Sequence, residues 1–255
     1  MKKIVAIGGG ENGRLLDNGT YAEYNTEAID KEIVKLTGKT NPHFLFLGHA
    51  MQFSSEIEES YFQTMIKIYG DKFGCKCQSL KSYELNNKEI VNKKVAWADI
   101  IYEGGGDTSA MISLWKETGF DKILYEAWNS GKVICGISAG AVCWFNSCNS
   151  DGGADSNSFT NVNCLDWMNL YITPHCAEKG RMESTKSQLK DNNMIGIALT
   201  DCSALEIIED KYRIITSKPE AYCKKCFWEN NVYYSDKIWV AEEMKNINEL
   251  LSRID

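Results

Sequence analysis

The stretch Val133-Ile134-Cys135-Gly136-Ile137-Ser138-Ala139-Gly140-Ala141-Val142 decides how this chain reads. It opens as a short apolar strand, passes through Gly-x-Ser-x-Gly, and continues in small residues that suit the start of a helix. That order is the pattern of a nucleophile elbow, in which a sharp strand-to-helix turn lifts a serine hydroxyl clear of the backbone. A helix beginning there aims its N–H groups and positive dipole end at the serine, where a negative oxygen forms during acyl transfer. The alternative is a loop whose serine merely caps a helix. The strand and helix patterns on either side favour the elbow.

Working outward, the rest of the chain supplies a parallel α/β frame. Strand-like runs (3–7, 43–48, 75–80, 99–103, 133–137) alternate with helix-like runs (26–37, 54–69, 89–96, 108–116, 120–130). Such alternation predicts a doubly wound, mostly parallel sheet with helices on both faces. Beyond the elbow, residues 146–163 are rich in Asn, Ser, Asp and Gly and predict a long surface loop. A strand at 170–172, a polar helix at 180–192 and a strand at 195–199 follow. A closing hairpin at 204–209 and 212–216, a strand at 232–235 and a terminal helix at 246–254 complete the chain. There is no repeat and no linker, so 1–255 reads as one domain.

At 255 residues the chain buries a full core without staples. Its 44% hydrophobic and 25% charged residues are ordinary for a soluble protein. A net charge of −7 argues against a broad nucleic-acid surface, and no apolar run approaches the ~20 residues that span a bilayer. Lys2-Lys3 and the short apolar run after them give way to Gly8-Gly9-Gly10-Glu11 too soon for a signal peptide, which predicts a cytoplasmic protein. Many of the ten cysteines lie in apolar segments and read as buried thiols. Cys223-x-x-Cys226 has the spacing of half a zinc site or a redox pair, but no second pair accompanies it, so no metal or cofactor is expected. Aromatic residues near the C-terminus permit a homodimer.

Sites in parallel sheets gather beyond the carboxyl ends of strands. Gly104-Gly105-Gly106, Ser138, His175 and Asp201 all follow strands there. Of the three histidines, His43 precedes a strand and His49 follows one with nothing else to mark it. His175 follows Pro174, which stiffens the turn, and comes after Ser138, as in α/β-sheet hydrolases. It is the favoured general base; the alternative is a surface histidine beside a proline. An oxyanion site needs converging N–H donors. Ala139 is one, and Gly105 or Gly106 supplies the other. Gly8-Gly9-Gly10-Glu11-Asn12-Gly13 fits the dinucleotide pattern G-x-G-x-x-G, but Asp17-Asn18-Gly19 breaks any helix behind it. A tight turn lining the sheet rim is the better reading.

Gly104-Gly105-Gly106-Asp107-Thr108, Gly136-Ile137-Ser138-Ala139-Gly140-Ala141 and Ile172-Thr173-Pro174-His175, in that order, resemble the peptidase E family of serine peptidases, which includes cyanophycinase. The similarity runs from Lys3 to about Leu205. It implies a fold like that of class I glutamine amidotransferases, with serine in place of their cysteine. It further implies cofactor-free hydrolysis of short peptides with aspartate on the amino-terminal side of the cut bond. Ser138 is then the nucleophile and His175 the base, with Gly105, Gly106 and Ala139 around the oxyanion. Asp201 falls where the family places an acidic residue, often glutamate; Asp151, Asp155 and Asp166 are the alternatives. Asp107 stands where the family tends to have asparagine and would repel an aspartyl substrate unless paired. Arg181 is expected either to bind a substrate carboxylate or to be a solvated helix arginine. Two other readings compete with a peptidase: a nucleotide-binding module built on residues 8–13, and a catalytically silent relative that senses peptides.

Overall fold

A computed structural model describes residues 1–16, 18–51, 54–151 and 158–253. The amino-terminal half builds the expected parallel frame. Strands β1 (Lys3–Ile7), β2 (His43–Leu47), β3 (Lys76–Leu80), β4 (Ile100–Glu103) and β5 (Val133–Ile137) are joined by helices α1 (Glu27–Lys35), α2 (Ser55–Met65), α3 (Lys88–Trp97), and the pair α4 (Thr108–Thr118) and α5 (Phe120–Asn129). The inner strands β4 and β5 are buried along their whole length, because helices cover both faces. Helix α2 runs on into a wider π-type turn, Ile66–Lys72.

After β5 comes the single-turn helix α6 (Ala139–Val142), then β6 (Phe145–Ser150), β7 (Thr160–Asn163) and β8 (Met168–Thr173). Helix α7 (Arg181–Asn192) leads to β9 (Gly196–Leu199), β10 (Ser203–Ile208), β11 (Lys211–Thr216), β12 (Cys223–Glu229), β13 (Val232–Ile238), β14 (Lys245–Asn246) and α8 (Ile247–Leu251). The strands form two sheets: β14-β11-β10-β1-β5-β4-β2-β3 and β13-β12-β9-β8-β6-β7. The hairpin β10–β11 joins the first sheet antiparallel to β1. The second sheet keeps a parallel centre in β6, β8 and β9.

The expected surface loop over 146–163 is corrected in part. Its two ends are strands β6 and β7, paired antiparallel from Ser147↔Asn163 to Ser150↔Thr160. Polar composition misleads here because two of these polar residues are buried and partnered. Asn149 donates to the hydroxyls of Ser184 and Thr185 at 3.2 and 3.3 Å, and Ser147 packs on the Met194 sulfur. Cys223 and Cys226 sit three apart on β12, so their side chains leave opposite faces and enter different apolar clusters. All ten cysteines are free, and no group of metal-ligating residues occurs among the described residues. No helix among them is long and apolar enough to cross a membrane.

Candidate active site

The elbow begins with a close approach of three backbones. A Cβ at Gly136 would lie 2.4 Å from the Gly140 carbonyl oxygen, and one at Gly140 would lie 2.1 Å from that of Glu103. Only glycine lets β4, β5 and α6 meet this tightly. Ser138 sits between them at φ 55°, ψ −115°, a strained conformation for a residue with a Cβ. Such strain costs on the order of 1–3 kcal/mol and persists only where the surroundings impose it. Here they do: Ser138 N–H donates to Ile7 O at 3.0 Å, and Ser138 O accepts from Ala141 and Val142 at 2.9 and 3.2 Å. Because α6 has only four residues, little macrodipole stands behind the serine. Any stabilisation of an oxyanion falls to individual N–H groups.

The second sheet brings His175. Strand β8 ends at Thr173, Pro174 turns the chain, and His175 takes φ 48° with its N–H donating to Gly8 O at 3.0 Å. Its Nε2 lies 2.9 Å from Ser138 Oγ and its Nδ1 lies 2.6 Å from Asp201 Oδ1. With the carboxylate accepting from Nδ1–H, Nε2 is left to accept the serine O–H. Asp201 follows β9, and its neighbour Cys202 donates to Gly9 O at 2.9 Å. The dipeptide Gly8-Gly9 therefore holds both loops. A Cβ on Gly9 would stand 2.0 Å from Asp201 Oδ1 and 2.4 Å from the His175 ring. This close docking lets an aspartate, one methylene shorter than glutamate, reach the imidazole.

The other acids lie elsewhere. Asp151 pairs with Arg181, and Asp166 accepts from the Asn146 amide at 2.8 Å. Asp155 lies outside the described residues.

Gly105 abuts Ser138: its Cβ position is 3.3 Å from Ser138 Cβ and 3.9 Å from Oγ. Gly106 packs on Ala50, whose carbonyl oxygen would be 2.1 Å from a Cβ there. Ala139 follows Ser138 and is buried. A cavity of about 490 Å³ opens over Ser138, His175, Gly105 and Ile137, walled by Glu11, Asn12, Arg14, Met51, Glu56 and Tyr61. Asp107 faces a neighbouring cavity of about 440 Å³, with Gly106, Ser150 and Asp151. Its carboxylate caps α4 by accepting from Ala110 N–H at 3.0 Å.

Arg181 is 1% exposed and spends its donors within the protein. It contacts Glu178 at 2.9 and 3.1 Å, the Asp151 carboxylate, and the Asn149 carbonyl, and it stacks on Phe159. Neither expectation for it, a substrate clamp or a solvated arginine, describes a side chain so enclosed. The guanidinium on the wall of the serine cavity belongs instead to Arg14, which pairs with Glu11 through Nε and Nη2 at 3.1 and 3.2 Å. Sequence reasoning passed over Arg14, although it lies just past the glycine run that was read as lining the rim. That run leads into bridges Asn12↔Tyr24 and Leu15↔Tyr21 rather than a helix, so it lacks the frame a dinucleotide pyrophosphate needs.

The fold resembles that of a peptidase from an acI-B1 Actinobacterium, with a TM-score of 0.71 and 18% identity, covering 96% of this chain and 97% of that one. In sequence, the chain is 31% identical over 225 residues to the uncharacterized peptidase YgaJ of Bacillus subtilis (strain 168), covering 87% of this chain and 90% of that protein. Residues 15–215 match peptidase family S51. The chain therefore belongs to peptidase family S51, the serine peptidases of the peptidase E group.

Proposed function

We propose that this peptidase cleaves short peptides with an amino-terminal aspartate through an acyl-enzyme on Ser138. The observation that carries the reading is the series Asp201 Oδ1, His175 Nδ1, His175 Nε2, Ser138 Oγ, closed by contacts of 2.6 and 2.9 Å at the floor of a cavity. Ser138 Oγ attacks the peptide carbonyl carbon while His175 Nε2 takes the hydroxyl proton. The carbonyl oxygen becomes an oxyanion facing the N–H groups of Ala139 and of Gly105 or Gly106. Collapse breaks the C–N bond, and the proton on Nε2 passes to the departing amine. Water, deprotonated by the same nitrogen, then hydrolyses the ester and frees Ser138. Asp201 holds the Nδ1–H tautomer and offsets the imidazolium charge.

The preference for aspartate is supported by Arg14, the one lysine or arginine among the described residues that line the serine cavity, where a substrate carboxylate would take the place of its partner Glu11. Asp107, already engaged as a helix cap in the adjoining cavity, offers its negative charge there instead. A panel of Asp-X, Glu-X, isoaspartyl-X and Leu-X dipeptides tests the reading. Asp-X is expected to give the highest kcat/KM, and Arg14→Met to lower that value by about 10–100-fold while sparing Leu-X. Equal turnover of Asp-X and Leu-X, or no turnover of any dipeptide, overturns it.

A further inference from the structure

Glu103 ends β4 immediately before the Gly104-Gly105-Gly106 loop, and its side chain is fully buried. Its Oε1 accepts the Ala50 N–H at 3.2 Å. The Ala50 carbonyl in turn accepts the Asp107 N–H at 2.8 Å and fills the space that a Gly106 side chain would take. We propose that Glu103 is a positioning residue for the oxyanion loop, its buried carboxyl fixing Ala50 and Ala50 fixing Gly106 and Asp107, which follow directly on Gly105 where it abuts Ser138. The proposal rests on the reading of Ser138 as nucleophile.

No positive charge faces this carboxyl. His49, beyond β2, brings Nδ1 to 3.9 Å of Oε2. That nitrogen accepts the Trp115 indole N–H at 2.9 Å, so it carries no proton, while Nε2–H donates to Leu80 O at 2.8 Å. Glu58 and Tyr61 on α2 and Cys143 after α6 are the other titratable groups turned toward it. Desolvation by burial holds the Glu103 carboxyl well above the ordinary carboxylate range, and the approach of Glu58 pushes the same way. Burial without a facing cation therefore favours the protonated form, against the backbone N–H groups of Ala50, His49 and Gly104, which favour the charged one. Above the ordinary carboxylate range the folded state binds more protons here than the unfolded state. This contribution to stability is therefore lost as pH rises from the ordinary carboxylate range through the raised value of the folded state, and the loop loosens along with it.

The test compares the full-length wild type with Glu103→Gln and Glu103→Leu. Glutamine keeps an oxygen for Ala50 and cannot ionise; leucine removes the acceptor. Expected are a Gln kcat within about threefold of wild type and a Leu kcat lowered about 10²-fold with KM nearly unchanged. The loss of kcat expected of the wild type as pH rises past that range should be absent from Glu103→Gln. Infrared spectroscopy at pH 7 should show a protonated carboxylic-acid carbonyl band that disappears in the Gln variant, and the Ala50 amide should exchange faster in the Leu variant. The infrared band needs neither turnover nor the Leu variant, so it decides the matter even if Glu103→Leu fails to fold or Ser138 is not the nucleophile, a point that phosphonate labelling of the wild type settles separately. Equal impairment of both variants, a Leu variant with wild-type kcat, or no such band overturns the proposal.

Discussion

His49 and His175 occupy corresponding points in the two sheets, each two residues beyond the end of a parallel strand, β2 in one case and β8 in the other. The His49 ring is fully buried. Both its nitrogens are committed to the frame, one to Trp115 and one to Leu80, and desolvation lowers its pKa to about 4. The His175 ring keeps 30% of its surface open, with a carboxylate on one nitrogen and a hydroxyl on the other. A strand end brings a histidine to the rim of a sheet. What meets its two nitrogens decides whether it braces the core or moves a proton.

The sharpest break of this comparison is removal of each ring in turn. His175→Ala should lower kcat by roughly 10⁴–10⁶ with the fold intact, since base and nucleophile act as a unit. Asp201→Asn comes next, at roughly 10²–10⁴ in kcat, because the amide stabilises the wrong tautomer. The smaller end of that range is expected, since the Asp201 side chain is 58% exposed and water shares its work. Gly9→Ala drives a methyl group between Asp201 and His175 and should cost about 10²-fold in kcat through misplacement alone. Steady-state kinetics with circular dichroism on each variant checks all three.

His49→Ala should do the reverse. It should cost roughly 2–4 kcal/mol of stability by urea titration while lowering kcat of the folded protein less than about tenfold. The sign of its pH dependence follows from the lowered pKa. Between about 6.5 and 4 the folded state binds fewer protons at His49 than the unfolded state, so the wild type loses stability as pH falls through that window. The alanine variant should lack that part of the acid sensitivity. A His49→Ala protein as inactive as His175→Ala would erase the distinction.

Much of this was legible because local chemistry left few options. A strand, Gly-x-Ser-x-Gly and small residues describe one kind of bend, and the glycines are where backbones touch. Pro174 before His175 marked the turn that brings the imidazole to Ser138. The acid was less legible, since a lone Asp after a strand looks alike whether it caps a turn or holds an imidazole; the family resemblance, not the spacing, singled out Asp201. Arg181 was misjudged although its register held a clue. Arg181, Thr185 and Leu189 recur every four residues and share the buried face of α7. A guanidinium on the buried face of a helix announces internal pairing. Strand β6 was hidden by polar residues such as Asn149, whose partners come from α7, about 35 residues away in sequence. No local pattern carries that information.

The account turns on whether Ser138 is activated by His175. Treating the protein with a serine-directed fluorophosphonate and locating the adduct by peptide mass spectrometry tests this directly. One adduct on Ser138 is expected, formed in the wild type and lost in His175→Ala. Labelling that spares Ser138, or that proceeds unchanged without His175, contradicts it.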